Sequence, residues 1–163
     1  MKNSISININ QLSTGFVEIP GQISLNIYVQ GCKKRCSKCH NLELQNFEGG
    51  TKIYLKDINQ IINDYPICNW ICWLGGDAVY QPEGLISFSK EFRKFGLKIC
   101  LYTGLKFEEL DNKIIENLDV IIDGEWTGKK VMDENTNQRI WINVSKVEWY
   151  QITWKQFEEM YKN

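Results

Sequence analysis

Four short apolar runs alternate with three helix-like segments between residues 25 and 122, and this alternation limits the possible folds more than any other feature. The runs begin at Leu25, Ile67, Leu97 and Val120. A strand, a helix and a returning strand form a parallel unit, so the sequence predicts an α/β fold. At 163 residues the chain is too short for a closed eight-stranded barrel, which needs about 250. We therefore expect a partial, open βα barrel in a single domain, residues 1–163.

Local signals place the helices and the last strand. Helices are predicted over residues 57–65, 82–95, 107–118 and 154–161. Pro82 opens the second helix, Gly96 ends it, and Thr153 with Gln156 forms a capping box before the last one. Residues 140–144 are predicted to be a final strand. The preceding residues, 125–138, read as a long loop of the kind that is often functional.

Three cysteines, Cys32, Cys36 and Cys39, follow the first predicted strand at a Cys-x-x-x-Cys-x-x-Cys spacing. Three thiolates from one loop can hold three irons of a four-iron cluster and leave the fourth iron open to a ligand. An open position is typical of a catalytic centre, whereas four protein ligands are typical of a structural one. One alternative is zinc bound by these cysteines and His40, a poor geometry because Cys39 and His40 are adjacent. The other is a structural or incidental cluster of cysteines.

Composition limits which kinds of partner and which cellular compartment are expected for this protein. Nineteen basic and twenty acidic residues give a net charge of -1, which favours neither a nucleic acid nor a membrane surface as a partner. No apolar run reaches the roughly 18 residues of a membrane helix, so we expect a cytoplasmic protein. Thiols stay reduced there, and the other cysteines, Cys68, Cys72 and Cys100, lie in predicted strands as buried apolar groups.

Further candidate binding residues follow the later strands. Gly75-Gly76-Asp77 comes after the second strand, Thr103 after the third and Asp123 after the fourth. The glycine pair lets a ligand approach the backbone, and Asp77 can accept hydrogen bonds from an amine. Because the carboxyl ends of parallel strands meet at one edge of a sheet, these residues and the cysteine loop are predicted to share one site.

Taken together, these motifs resemble the radical S-adenosylmethionine superfamily. Within it the sequence is similar to the small activating proteins of class III anaerobic ribonucleotide reductases. The matching segments, in family order, are residues 31–41, 75–77, 102–107, 119–124 and 137–139. The compact length agrees, since the related activases for pyruvate formate-lyase are longer.

The resemblance implies that a reduced 4Fe-4S cluster passes an electron to S-adenosylmethionine, and that the resulting 5'-deoxyadenosyl radical takes a hydrogen atom from a glycine of the reductase. It implies cluster ligation by Cys32, Cys36 and Cys39. Gly75, Gly76 and Asp77 are implied to bind the methionyl group. Thr103 and Asp123 are implied to bind its carboxylate or the ribose, and Lys38 and His40 to lie near the adenine. No catalytic group beyond the cofactors is implied. The implied partners are the reductase large subunit and a reduced flavodoxin-like or ferredoxin-like electron donor.

Several interpretations remain open at this point. The basic residues of the cysteine loop, Lys33, Lys34, Arg35 and Lys38, form either a solvated surface or a docking patch for an acidic protein. Trp126, beside the long loop, is the tryptophan for which a role outside the core is most expected. The alternative functions are a short radical S-adenosylmethionine enzyme that acts on a small molecule and a non-catalytic metal-binding module.

Overall fold

The computed structural model describes residues 4–145 and 147–162, which build an eight-stranded sheet with helices on both faces. Residues 1–3, 146 and 163 of the predicted domain lie outside the described residues. The strands are β1 (Ser6–Gly15), β2 (Ser24–Val29), β3 (Thr51–Tyr54), β4 (Trp70–Gly75), β5 (Lys98–Tyr102), β6 (Val120–Asp123), β7 (Arg139–Asn143) and β8 (Trp149–Ile152). The helices are α1 (Ile58–Asp64), α2 (Pro82–Lys94), α3 (Asn112–Ile115) and α4 (Trp154–Tyr161). Short 3-10 turns cover Leu42–Gln45, Leu55–Asp57, Ala78–Tyr80 and Phe107–Glu109.

The strand order is β3-β1-β2-β4-β5-β6-β7-β8, and the two outermost strands do not pair with each other. The four central strands, β2, β4, β5 and β6, are parallel, while β1 and β3 at one edge and β7 and β8 at the other are antiparallel. Parallel strands are buried on both faces, which explains why their sequences are continuous apolar runs. The predicted α/β fold with an open, partial barrel is confirmed.

Helices α1, α2 and α3 cover one face of the sheet. Phe88 and Phe92 of α2 are fully buried, and the indole N–H of Trp73 in β4 donates to Ser89 Oγ at 3.0 Å. Burial of each phenylalanine side chain contributes about 1.5–3 kcal/mol to the free energy of unfolding, so these contacts stabilise the packing of α2 on the sheet. Gly96, with a φ of 79°, follows the last turn as predicted. The longest helix has 13 residues, and none in the described part of the chain is long and apolar enough to cross a membrane.

The opposite face is covered near the strand beginnings by α4. Phe157 is fully buried, and the ring of Trp70, at the start of β4, meets the ring of Tyr161 edge-on at 5.3 Å. The predicted capping box of α4 is present: Thr153 Oγ1 accepts from the Gln156 amide, and the Gln156 side chain accepts from the Thr153 amide. This helix leaves the carboxyl ends of the strands uncovered, where a cavity opens.

Two predicted elements differ in extent. The helix predicted over 107–118 is wrong in length, since a 3-10 turn and the short α3 are separated by extended backbone at Leu110 (φ -81°, ψ 141°). Asp111 then caps α3 by accepting from the Lys113 amide at 2.8 Å. The strand predicted over 67–74 begins only at Trp70, because Ile67 is exposed after the turn at Pro66.

The cysteines outside the loop behave largely as expected. Cys72 and Cys100 are fully buried between the sheet and α4, as predicted for apolar thiols. Cys68 is half-buried and precedes β4 instead of lying within it. All three are free thiols.

Candidate cofactor-binding site

A cavity of about 490 Å³ lies at the carboxyl ends of the parallel strands. The predicted site residues that line it are Cys32, Cys36, Cys39, His40, Gly75, Gly76, Asp77 and Thr103. Lys38 and Asp123 are not among its lining residues. The segments that follow β2, β4 and β5 therefore bring most of their predicted site residues into the same cavity.

Backbone hydrogen bonds fix the cysteine loop where it leaves β2. Gly31 donates from its amide to the carbonyl of Leu44 at 2.8 Å and accepts from the amide of Asp77 at 3.0 Å. The Gly76 amide donates to the Val29 carbonyl at 2.7 Å. The loop is thus held on one side by the Leu42–Gln45 turn and on the other by the end of β4.

Two amide side chains, one buried and one half-buried, strengthen this attachment. Gln30 donates from Nε2 to the carbonyls of Glu43 and Asn46. Gln81 donates from Nε2 to the carbonyls of Gln30 and Asn8, both at 2.8 Å, and its Oε1 accepts from the Asn8 amide. The sequence analysis missed both residues, because a glutamine that bonds distant backbone groups leaves no local signal.

The three thiols of the loop suit an iron-sulfur cluster. Burial, with the Asp77 charge next, raises the pKa of Cys32 to about 11. Burial also raises the pKa of Cys36, which a backbone hydrogen bond from Trp126 opposes. A thiol must lose its proton to bind a metal, so a bound cluster would have to stabilise the thiolates of Cys32 and Cys36 against the effect of burial.

A zinc site with His40 does not fit this arrangement. No group of three His, Cys, Asp or Glu side chains within residues 4–145 and 147–162 is placed to hold a single metal ion. The His40 ring instead meets the ring of Trp126 edge-on at 4.8 Å. The three cysteines line one cavity, and three thiolates are the donors of a four-iron cluster with one open iron.

The glycine pair allows close packing of two strand ends. Gly75 has a φ of 96°, and a Cβ there would lie 2.7 Å from the Val29 amide nitrogen. A Cβ on Gly76 would lie 2.4 Å from the Gly31 carbonyl oxygen. Both positions also line the cavity. Their first physical role is therefore to let β4 approach the start of the cysteine loop.

Asp77 connects the β4 end to the β5 end. Its Oδ2 accepts from Thr103 Oγ1 and from the Gly104 amide, both at 2.9 Å, and its Oδ1 accepts from the Val79 amide at 3.3 Å. Burial raises its pKa to about 6, and these hydrogen bonds oppose the rise. A carboxylate offers about four acceptor positions, so one remains for a ligand.

The long loop after β6 closes over the cysteine loop through Trp126, whose backbone bonds Cys36 and whose ring contacts His40. The expected role of Trp126 outside the core agrees with these contacts. Lys38 is exposed, and its Cδ would lie 3.0 Å from a Cβ on Gly128 of the same loop. Lys38 thus packs outside the cavity, and we leave it out of the ligand-binding set.

Asp123 has a different environment from the one predicted. It is fully buried, and both of its oxygens are bound by Arg139, one of them also by the Phe107 amide. Arg139 donates further to both Glu108 oxygens, at 3.0 and 2.8 Å, which lowers the pKa of Glu108 to about 2. These bonds join β6 to β7, and Asp123 is not among the residues that line the cavity.

Comparison with known proteins decides the family. A family model described as a 4Fe-4S single cluster domain matches residues 19–146. The chain belongs to this family. It is 28% identical over 116 residues to the pyruvate formate-lyase-activating enzyme of Clostridium pasteurianum, which covers 68% of the chain and 48% of the relative. It is 29% identical over 113 residues to the pyruvate formate-lyase 1-activating enzyme of Escherichia coli K12, with 66% and 46% covered.

The fold has a counterpart among solved structures. QueE from Escherichia coli superposes with a TM-score of 0.51 at 14% identity, over 63% of this chain and 54% of that one. The chain spans about half the length of the curated relatives it matches. Membership of the radical S-adenosylmethionine superfamily, with glycyl-radical-enzyme activating relatives, is confirmed. So are the two predicted cofactors, a 4Fe-4S cluster and S-adenosylmethionine.

Proposed function

We propose that this 4Fe-4S protein activates a class III anaerobic ribonucleotide reductase by forming a glycyl radical in its large subunit. The observation that carries the proposal is the shared cavity. Cys32, Cys36 and Cys39 line it together with Gly75-Gly76-Asp77, so a cluster and an amino-acid ligand would meet there. When bound, the two cofactors supply reductive cleavage and a 5'-deoxyadenosyl radical that takes a hydrogen atom from the glycine.

The residues of the chain bind, orient and exclude water. The open acceptor position of Asp77 would receive the α-amino group of the methionyl moiety, while Thr103 and Gly104 hold the carboxylate of Asp77 in place. His40, which lines the cavity and packs on Trp126, is proposed to lie near the adenine. No side chain needs to act as a general base, because the substrate loses a hydrogen atom and not a proton.

The choice of reductase as target rests on the motifs that converge at Asp123. Each of the segments 102–107, 119–124 and 137–139 supplies one residue of a hydrogen-bonded group. In this group the Asp123 carboxylate accepts from the Phe107 amide and from the Arg139 side chain. In this fold the three segments are held together by one buried carboxylate. Their joint presence in one sequence supports the reductase-activating subfamily, whose motifs they resemble.

The proposed electron donor is a reduced flavodoxin-like or ferredoxin-like protein. Lys33, Arg35 and Lys38 are exposed on the cysteine loop. Part of this charge serves the loop itself, because Arg35 donates to the carbonyls of Cys32 and Lys34. Lys33, with its ammonium 5.7 Å from the centre of the Tyr80 ring, is the better placed to meet an acidic donor. We expect the complex to form in the cytoplasm.

The test uses cluster-loaded protein, a strong one-electron reductant and no oxygen. S-adenosylmethionine should be cleaved to 5'-deoxyadenosine, and the intact reductase from the same organism should gain the doublet of a glycyl radical in electron paramagnetic resonance. The Cys36→Ser variant is the control that should do neither. Cleavage without a radical on the reductase, together with hydrogen transfer from a small molecule, would replace this proposal with a small-molecule enzyme.

A further inference from the structure

One cation of the cavity is not used by any contact described above. Lys34 lies between Cys32 and Cys36, lines the cavity and is partly buried. Its ammonium group has no hydrogen-bond or ion-pair partner among residues 4–145 and 147–162. Lys33, the preceding residue, is exposed and lies over the Tyr80 ring. Adjacent lysines therefore face different surroundings.

The side chain of Lys34 lies beside Gly104, just after the end of β5, where Asp77 also packs. A Cβ on Gly104 would lie 3.4 Å from Lys34 Cγ, 3.8 Å from Lys34 Cδ and 3.8 Å from Asp77 Oδ2. Burial raises the pKa of Asp77, and the positive charge of Lys34 is among the influences that oppose this rise. The Asp77 carboxylate and the Lys34 side chain thus both lie next to Gly104 in the wall of the same cavity.

An amino-acid ligand carries the complementary pair of charges. Its α-amino group requires an acceptor, and its α-carboxylate requires a donor, preferably a cation. Asp77 already accepts three hydrogen bonds from the protein and keeps one position, whereas the donors of Lys34 have no partner among the described residues. The two groups together match a zwitterion, and neither alone accounts for both of its ends.

We propose that Lys34 binds the α-carboxylate of S-adenosylmethionine, opposite the amine site at Asp77. This inference rests on the proposed function, since it assigns one end of the same ligand. It gives Lys34 a role distinct from that of Lys33, although both belong to the basic run of the cysteine loop. The loop then supplies the cluster ligands and one ligand-binding cation.

The experiment measures binding and not turnover. Cluster-loaded protein with the cluster kept oxidised is titrated anaerobically with S-adenosylmethionine in equilibrium dialysis. Lys34→Gln, which removes the charge, should weaken binding roughly tenfold to a hundredfold. Lys33→Gln, the matched control, should change it by less than about threefold, since exposed charges contribute little. Lys34→Arg, which keeps the charge, should recover most of the affinity.

Decarboxylated S-adenosylmethionine identifies the group that Lys34 contacts. It should bind wild-type and Lys34→Gln protein with the same affinity, because the carboxylate is absent. An equal loss for both ligands would mean that Lys34 acts on the cluster or the loop, and would overturn the proposal. The same selective loss in Lys130→Gln, at the other cavity-lining lysine, would also overturn it.

Failure of this inference is distinguishable from failure of the proposed function. Absence of S-adenosylmethionine binding to the cluster-loaded wild type would reject both. Normal wild-type binding with no specific effect of Lys34→Gln would reject only the role of Lys34. Iron and sulfide content and the unfolding temperature of each variant show whether the loop has formed. If Lys34→Gln fails to assemble its cluster, the test rests on Lys34→Arg alone. Normal cluster content with wild-type affinity for S-adenosylmethionine in Lys34→Arg supports the proposal, and weakened affinity contradicts it.

Discussion

Gly76 packs closely against the start of the cysteine loop, and Gly76→Ala should disrupt this packing. A Cβ there would lie 2.4 Å from the Gly31 carbonyl oxygen and 2.8 Å from those of Leu44 and Val29. All three are backbone atoms, so none can rotate away. Overpacking costs about 1–3 kcal/mol, and three simultaneous clashes place this substitution at the upper limit. Loss of the 3.0 Å bond between the Asp77 amide and Gly31 adds roughly 1 kcal/mol.

The expected result is a large loss of stability combined with poor cluster assembly. A destabilisation of roughly 3–4 kcal/mol lowers the melting temperature of a chain of this size by about 10 °C. The assay is thermal unfolding of cluster-free protein, followed by iron and sulfide analysis after anaerobic reconstitution. We expect Gly76→Ala to retain less cluster than wild type, because Gly31 directly precedes the first ligand, Cys32.

Gly104, which also lines the cavity, provides the matched control. A Cβ on Gly104 would have its nearest neighbour, Lys34 Cγ, at 3.4 Å, an ordinary contact with a flexible side chain. Gly104→Ala should therefore keep its stability within about 1 kcal/mol and assemble a full cluster. If Gly76→Ala matched Gly104→Ala in both measurements, the close packing of β4 against the loop would not be what these glycines provide.

Three further outcomes are expected. Cys36→Ser should lose the full cluster in iron and sulfide analysis, whereas Cys100→Ser should keep it, since Cys100 is fully buried beneath α4. Arg139→Ala leaves the buried charge of Asp123 without its partner, and chemical denaturation should show a loss of roughly 3 kcal/mol. The pKa of Asp77 is raised to about 6 from 3.8, so the folded state binds the proton more tightly than the unfolded state. Its stabilising contribution is complete below pH 4 and is lost as pH rises through 6, by about 3 kcal/mol in cluster-free protein.

Each of these outcomes has a comparison that could contradict it. Arg93→Ala removes the partner of Asp119, which is itself partly exposed, and should cost no more than about 1 kcal/mol. Equal losses in Arg93→Ala and Arg139→Ala would show that burial of Asp123 does not determine the energy. Asp77→Asn should have a flatter dependence of unfolding free energy on pH between 4 and 7. Parallel curves for the wild type and Asp77→Asn would contradict the assignment.

The parallel core of the fold could be predicted because burial on both faces leaves a continuous apolar run. Of the antiparallel edge strands, β7 matches the strand predicted over residues 140–144, whereas β1, β3 and β8 were not predicted. In β1, Ser6–Gly15, polar residues interrupt the apolar ones, and its pairing with β2 and β3 depends on partners distant in sequence. The strand β8, Trp149–Ile152, has only four residues. Short strands of mixed polarity resemble loops until their neighbours are known.

At the site, too, features set by neighbouring residues could be predicted, whereas features set by residues distant in sequence could not. The spacing of the cysteines and the glycine pair is local, and those residues do line one cavity. The environment of Asp123 depends on Arg139, sixteen positions away, so its position at a strand end was not enough to predict its role. Lys33 and Lys34 are chemically identical neighbours, and only the fold shows that one lines the cavity.

Asp77 explains why cluster ligation and ligand binding belong to one structural unit. Its backbone amide donates to Gly31, immediately before the first cluster ligand, while its carboxylate accepts from Thr103 and Gly104 at the end of β5. Movement of the cysteine loop therefore displaces the acceptor that would receive the ligand amine. The two connections are chemically separable, since a side-chain substitution leaves the amide of Asp77 in place. We therefore expect cluster assembly to depend on the backbone of Asp77 and binding of S-adenosylmethionine to depend on its carboxylate.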